Sequence, residues 1–184
     1  MRIVINPGHS EQYDPGAVAA DGLTEAWVVT QIARQMGALG GYELKRQGRL
    51  LLPMLLGLRV NKPDLLVSLH CNAPSRNLHE CHAYWWRQEP DLAVHRESER
   101  LATIIAGRAQ GTFAEWGLVK TFPIVRENGR LLTPGVLVRT AKRAAVLVEL
   151  GFISDVHCAA AMKTANWQGR VVCALDAAIR EWAL

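Results

Sequence analysis

Three residues next to apolar runs have side chains that could do chemistry together. His9 follows the first apolar run, His70 ends a second (Leu65–Leu69), and Glu149 interrupts a third (Val146–Ile153). Two imidazoles and a carboxylate form the ligand set of a catalytic zinc ion, which leaves a fourth position open for water. Zinc lowers the pKa of that water, and a carboxylate that is not a ligand can take its proton. These residue types therefore predict metal-assisted hydrolysis, with Glu149 as the candidate base.

Each of these residues also has an ordinary structural explanation. A buried Glu149 could be neutralised by one of the chain's arginines. Glu25 lies in the first turn of a predicted helix, where the helix dipole alone favours a carboxylate. The His-Glu-x-x-His pattern of many metalloproteases is absent, so the ligands would come from separate elements. The remaining histidines are interpreted as structural: His79, His82, His95 and His157.

The strands that would position the site are short apolar runs bounded by turn residues. We predict strands at Arg2–Asn6, Tyr42–Lys45, Leu65–His70, His82–Trp86 and Val146–Leu150, with short strand-like pieces at Val119–Val125 and Val136–Arg139. Gly151 should end the Glu149 strand, and the His82 strand should lie towards a sheet edge. Because active sites collect at the carboxyl ends of parallel strands, we expect His9, His70 and Glu149 on one rim.

Helices are predicted where apolar residues recur three or four positions apart. Thr24 is the expected N-cap of a helix that runs to about Leu39 and is closed by Gly40 and Gly41. Further helices are expected at Arg49–Val60, Asp91–Gly111, Asp155–Lys163 and Trp167–Trp182. The segment Leu118–Thr140 is interpreted as a mobile loop near the site. Trp85 and Trp86 are expected to pack in the core rather than to stack on sugar.

The composition is that of one ordinary globular domain, spanning residues 1–184. Hydrophobic residues make up 49% of the chain and charged residues 21%. The net charge of +4 predicts attraction to a polyanionic surface. Because lysines and arginines form no dense run, we expect no nucleic-acid partner.

The first residues, the apolar stretches and the cysteines indicate the compartment in which the protein is made. The first residues show no basic segment, apolar segment and cleavage site of a secretory signal, so we expect synthesis in the cytoplasm. The longest apolar stretch, Leu50–Leu58, is too short to cross a bilayer, which predicts no membrane insertion. The cysteines lack a C-x-x-C spacing, so reduced and mostly buried thiols are expected.

Four motifs in a fixed order carry a family resemblance. They are Ile3–His9 with Asp14–Ala17, Leu23–Glu25, Asp64–Ala73 and Ala145–Ser154. With these motifs the sequence resembles the zinc-dependent N-acetylmuramoyl-L-alanine amidases, which hydrolyse peptidoglycan. The resemblance covers nearly the whole chain. It implies an α/β fold with a twisted, mostly parallel sheet of about six strands, flanked by helices on both faces.

The resemblance also implies a role for each site residue. His9, Glu25 and His70 would bind Zn²⁺, Glu149 would be the catalytic glutamate, and Asn72 would support the ligands without binding the metal. The substrate would be the muramyl peptide of peptidoglycan, cut by a monomer that acts on the wall after release. We expect a phage endolysin. A bacterial autolysin is the alternative, followed by a zinc carboxypeptidase, for which no carboxylate-binding arginine can be assigned.

Overall fold

The computed structural model describes residues 1–46, 51–73, 80–86, 92–113, 119–124 and 140–184. Strands and helices alternate over most of this part of the chain. Their order is β1 (Ile3–Pro7), α1 (Glu25–Ala38), β2 (Tyr42–Leu44), α2 (Leu51–Val60), β3 (Leu65–Asn72), β4 (Cys81–Trp86), α3 (Leu92–Ala109), β5 (Val119–Ile124), β6 (Ala144–Phe152), α4 (Val156–Met162) and α5 (Ala165–Ala183).

The strands form one six-stranded sheet in the order β2-β1-β3-β6-β4-β5. Strands β2, β1, β3 and β6 are mutually parallel, whereas β4 runs antiparallel to β6 and parallel to β5. The predicted mostly parallel α/β sheet of about six strands is therefore confirmed. The prediction that the His82 strand lies towards an edge is confirmed, because β4 is next to the edge strand β5.

Helices cover both faces of the sheet, as predicted. Alternate residues of a strand point to opposite faces, so each strand contributes to two apolar clusters. On one face, residues such as Ile5 and Val148 pack against α1, α3 and α5. On the other face, Val4 and Leu147 pack against α2, where Leu58 is fully buried. Both faces of the central strands are thereby removed from water, which explains their almost continuous apolar sequence.

Helix α1 begins where the sequence predicts. The side chain of Thr24 accepts a hydrogen bond from the backbone N–H of Trp27 at 3.2 Å and caps the helix. This cap places Glu25 at the first helical position. The last helix, α5, also agrees with its predicted apolar face, whose residues are all buried: Val171, Val172, Leu175, Ala178, Ile179 and Trp182.

The two central strands extend further than predicted. Strand β3 continues beyond His70 to Asn72, and β6 continues through Gly151 to Phe152. Gly151 therefore does not end its strand, and Glu149 does not lie at the last position. The two strands support each other, because Asn72 pairs with Phe152 after a register shift. The other element boundaries differ from the predicted ones by a few residues at most, which is ordinary at element ends.

Other predictions about individual residues have mixed outcomes. The four cysteines are free, and Cys71 and Cys81 are buried, but Cys173 is exposed, so the expectation of mostly buried thiols is wrong there. Trp85 packs in the core as predicted, with 6% of its surface exposed. The side chain of Trp86 lies outside the described residues.

The strand-like piece predicted at Val119–Val125 is confirmed by β5, so the interpretation of Leu118–Thr140 as a mobile loop is wrong for residues 119–124. Most of that segment, including the strand-like piece at Val136–Arg139, lies outside the described residues. None of the helices that the structure describes combines the length and the apolar character needed to cross a bilayer.

Candidate active site

His9, Glu25 and His70 converge on one point at the carboxyl end of the parallel strands. Each offers an imidazole nitrogen or a carboxylate oxygen, and the three atoms lie within 4.8 Å of one another. The Oε1 atom of Glu25 lies 2.9 Å from Nδ1 of His70 and 3.2 Å from Nε2 of His9. The three residues come from a loop, a helix start and a strand, so the fold must assemble the cluster.

His9 is aimed at the cluster by its backbone and by Asp14. Its φ angle is +60°, in the left-handed region that costs a non-glycine residue roughly 1–2 kcal/mol. Such strain is found where the surrounding structure holds a residue for function. The Oδ2 atom of Asp14 lies 2.8 Å from Nδ1 of His9, which leaves Nε2 directed at Glu25. Asp14 therefore orients the imidazole.

Glu25 is held from three sides at the start of α1. Its Oε2 atom accepts a hydrogen bond from the N–H of Ala17 at 3.0 Å, and Oε1 accepts one from the N–H of Cys71 at 3.0 Å. Burial alone would raise the pKa of Glu25, but the contacts with His70 and His9 hold it well below its usual range. The side chain is thus a fixed anion.

Two glycines leave room for the ligand side chains. A Cβ atom on Gly8 would lie 2.3 Å from Cε1 of His70, and a Cβ on Gly16 would lie 2.7 Å from Oε2 of Glu25. Gly16 also has a φ of +66°, which glycine adopts without a steric penalty. The site therefore requires glycine in the Pro-Gly-His and Asp-Pro-Gly sequences, because a side chain there would collide with His70 or Glu25.

The pKa of His9 is raised to about 9 by its hydrogen bond to Glu25, against the opposing effect of burial, with further contributions from the charges of Glu25 and Asp14. Without a metal ion, His9 and Glu25 therefore form a cation–anion pair at neutral pH. A metal ion bound at this cluster would replace the proton that Nε2 of His9 carries towards Glu25.

Glu149 lies next to His70, and one of its carboxyl oxygens has no hydrogen-bond partner among the described residues. The two residues are register partners on β6 and β3. Leu147, two positions before Glu149, packs on the α2 face, so Glu149 projects from that same face. Its Oε2 atom is buried and forms no hydrogen bond with any described residue. The alternative of a neutralising arginine is not supported among the residues that the structure describes.

Burial raises the pKa of Glu149 to about 8, and the negative charge of Glu25 adds to this shift while the charge of His9 opposes it. A carboxyl group whose pKa lies near neutrality can exchange protons with a substrate in both directions. The three-residue cluster and the unpartnered carboxyl group therefore differ in electrostatic character, as a ligand and a general base do.

The other predicted residues fall outside the cluster. The Oδ1 atom of Asn72 accepts a hydrogen bond from the N–H of Ala73, and no described contact joins it to His9, Glu25 or His70. Its supporting role stays a prediction. His82 is buried and contacts Glu80 at 2.7 Å, consistent with its structural interpretation, although it is also a register partner of Glu149.

Of the other histidines, His95 is buried on α3, His157 starts α4, and His79 lies outside the described residues. The sequence-based reasoning missed Asp14 as the partner of His9. Asp14 entered the sequence analysis only through the motif Asp14–Ala17, without a role of its own. Only the folded structure shows that this motif returns the carboxylate to the imidazole.

The donor set fits a zinc ion. Two imidazoles and one carboxylate within 4.8 Å match the three protein ligands of catalytic zinc sites. Asp14 on the far nitrogen of His9 supplies the outer hydrogen bond that ligating histidines usually have. Glu149, whose Oε2 atom is buried, supplies a carboxyl group beside the cluster that need not be a ligand.

The chain is also similar to a known protein family. A family model described as N-acetylmuramoyl-L-alanine amidase matches residues 56–181. No curated protein sequence matches this chain closely.

Several solved structures share the whole fold at low sequence identity. The N-acetylmuramoyl-L-alanine amidase AmiC2 of Nostoc punctiforme is 17% identical, with a TM-score of 0.76 over 100% of this chain and 97% of that chain. The catalytic domain of CwlV from Bacillus (Paenibacillus) polymyxa is 19% identical, with a TM-score of 0.75 over 100% and 98%. The catalytic domain of the CD27L endolysin, which targets Clostridia Difficile, is 17% identical, with a TM-score of 0.68 over 98% and 97%.

Proposed function

The chain belongs to the N-acetylmuramoyl-L-alanine amidase family, and from this premise we propose that it hydrolyses the amide bond between N-acetylmuramic acid and L-alanine in peptidoglycan. The observation that carries the proposal is the His9–Glu25–His70 cluster beside the unpartnered carboxyl group of Glu149. Binding and acid–base functions are thus available within one site.

His9, Glu25 and His70 are the residues that would hold zinc. Bound there, zinc would polarise the scissile carbonyl group and lower the pKa of a water ligand towards about 7. The protein contributes a preorganised anion in Glu25, an imidazole that Asp14 orients, and a second imidazole on a central strand.

Glu149 has the position and the pKa of a general base that becomes a general acid. It would accept a proton from the attacking water as the new C–O bond forms, then donate a proton to the departing amine as the C–N bond breaks. Its burial supports this role, because a raised pKa makes the carboxyl group able to return the proton. The products are the muramic acid carboxylate and a peptide with a free L-alanine amine.

We propose a lytic role in the cell wall, with the enzyme acting as a monomer after release from the cytoplasm of a phage-infected host. The similarity to the CD27L endolysin domain and the positive net charge support a phage endolysin. The fold is equally shared with amidases such as AmiC2 of Nostoc punctiforme, so a bacterial autolysin is the alternative.

The test is the identity of the bond that is cut. Purified peptidoglycan is digested, the new amines are labelled, and the labelled residue is identified. We expect label on L-alanine and no new reducing sugar ends. Label on D-alanine or on a diamino acid would indicate a peptidase and would contradict the proposal, and new reducing ends would indicate a glycosidase. The Glu149→Gln protein serves as the control for contaminating hydrolases.

A further inference from the structure

A second pocket, broadly open to solvent, lies at the opposite end of the sheet from the metal cluster. It is a cleft of about 630 Å³, lined by Arg2, Arg59, Val60, Asn61, Lys62 and Lys142. These residues come from the start of β1, the end of α2 and the turn before β6. Four of the six lining residues are cationic, which makes the cleft a site of concentrated positive charge.

Three of the four cations have no ion pair with any residue that the structure describes. Arg2 forms an ion pair with Glu43 at 2.7 Å, and the carboxylate of Asp64 accepts a hydrogen bond from the backbone N–H of Arg2. Arg59, Lys62 and Lys142, by contrast, are exposed, and their side chains form no hydrogen bond or ion pair with any described residue. The hydrogen bond from the backbone N–H of Arg2 lowers the pKa of Asp64, and the charges of Lys142 and Arg143 lower it further.

The cleft is separate from the catalytic centre. Asp64, which contacts the backbone N–H of the lining residue Arg2, lies just before β3, and His70 lies six residues further along the same chain. At about 3.3 Å per residue of strand, the two sites lie roughly 20 Å apart. A ligand in the cleft therefore leaves the metal cluster accessible, and one extended polymer network can occupy both.

We propose that this cleft binds a linear, phosphate-bearing polymer of the cell wall and thereby holds the enzyme on its substrate. The choice of a wall polymer rests on the proposed function. A second attachment point raises the effective concentration of the catalytic site at the wall without any change in the site itself. Lys62, Lys142 and Arg59 provide the phosphate contacts, and their strength depends on salt.

The lining of the cleft favours this partner over single-stranded nucleic acids. Single-stranded nucleic acids are held by stacking on aromatic side chains, and the six lining residues include none. A flexible chain of phosphodiesters can lie along the four cations of the lining. The cleft is thus suited to a narrow, charged and largely non-aromatic chain.

The test uses a purified poly(glycerol phosphate) polymer and measures its binding between about 50 and 200 mM salt. The cleft variant is Lys62→Ala with Lys142→Ala, and the matched control is Arg34→Ala with Arg96→Ala. All four side chains are exposed and have no described ion pair, so both variants lose the same charge. We expect the cleft variant to bind about tenfold more weakly, with a salt slope lower by about 1 per lysine, and the control to bind as the parent does.

Equal losses in both variants, or no binding by the parent protein, would overturn the proposal. A single-stranded oligonucleotide and phosphatidylglycerol vesicles are measured in parallel, and tighter cleft-dependent binding of either would overturn the assignment to a wall polymer. Hydrolysis of a soluble muramoyl peptide is measured separately and should be unchanged in the cleft variant. A failed amidase assay with cleft-dependent polymer binding would therefore refute the proposed function and leave the cleft as a polyanion site.

Discussion

His70 on β3 and Glu149 on β6 are register partners in the parallel part of the sheet, so an imidazole of the metal cluster and the unpartnered carboxyl group project side by side from one face. On its other side, Glu149 is paired with His82 of the antiparallel strand β4. The separation between His70, a candidate ligand, and Glu149, the candidate base, is thus set by the pairing of two neighbouring strands.

The first prediction separates the acid–base function from metal binding. The substitution Glu149→Gln keeps the size of the side chain but removes its ability to accept a proton. We expect the rate to fall by about 10²- to 10⁴-fold while zinc content is unchanged. The measurements are amide hydrolysis and elemental analysis on the same sample. Glu99→Gln, at an exposed position of α3, is the matched control and should retain full activity.

The second prediction concerns stability in the absence of metal. The pKa of Glu149 is about 8 in the folded protein and 4.5 as a free side chain, so the folded state binds the proton more tightly. Its contribution to stability is fully present below about pH 4.5 and is lost as pH rises through about 8. Urea unfolding with a chelator should show this loss in the parent protein and not in Glu149→Gln. Parallel pH profiles in the two proteins would show that Glu149 is not buried as described.

The third prediction is that zinc binding releases the proton held by His9. The pKa of His9 is about 9 in the metal-free protein, and a ligating imidazole must be neutral. Zinc affinity should therefore increase with pH up to about 9, where the proton is already lost. Calorimetric titrations in buffers of different protonation enthalpy measure the released proton directly. An affinity that does not change between neutrality and this pH would contradict the His9–Glu25 pairing.

The fourth prediction tests the orienting role of Asp14. Replacing its carboxylate by an amide in Asp14→Asn weakens the 2.8 Å contact with Nδ1 of His9. Partners of ligating histidines typically contribute about 10- to 100-fold in metal affinity, and we expect a loss in this range. Asp21→Asn is the control, since Asp21 pairs with Lys163 instead. Equal zinc affinities in the two variants would show that Asp14 is not required.

The fifth prediction is steric. In Gly8→Ala the new Cβ would lie 2.3 Å from the ring of His70, so the imidazole must move and zinc binding should be lost. Gly107→Ala on α3 meets nothing within 4 Å and should instead stabilise the protein by up to about 1 kcal/mol. Thermal unfolding and zinc content are compared in both variants. Normal zinc binding by Gly8→Ala would show that the loop after β1 does not confine the ring of His70.

Most of the fold could be predicted because its signals are local. The apolar runs of β1, β3 and β6 and the capping residue Thr24 depend on a few neighbouring residues, and the structure has them close to their predicted places. The ends of β3 and β6 could not be predicted, because Asn72 and Phe152 continue those strands by pairing with each other.

The types and order of the site residues were determined by the sequence itself: His9, Glu25, His70 and Glu149 each occupy a motif that can be recognised without coordinates. Tertiary structure alone decided their electrostatic states. Glu25 is an anion because Ala17, Cys71 and the two histidines surround it, and Glu149 has a raised pKa because no described residue pairs with it in a buried place. The physical reason is that a pKa depends on burial and on charges brought close in space, and neither quantity is written in the residue order.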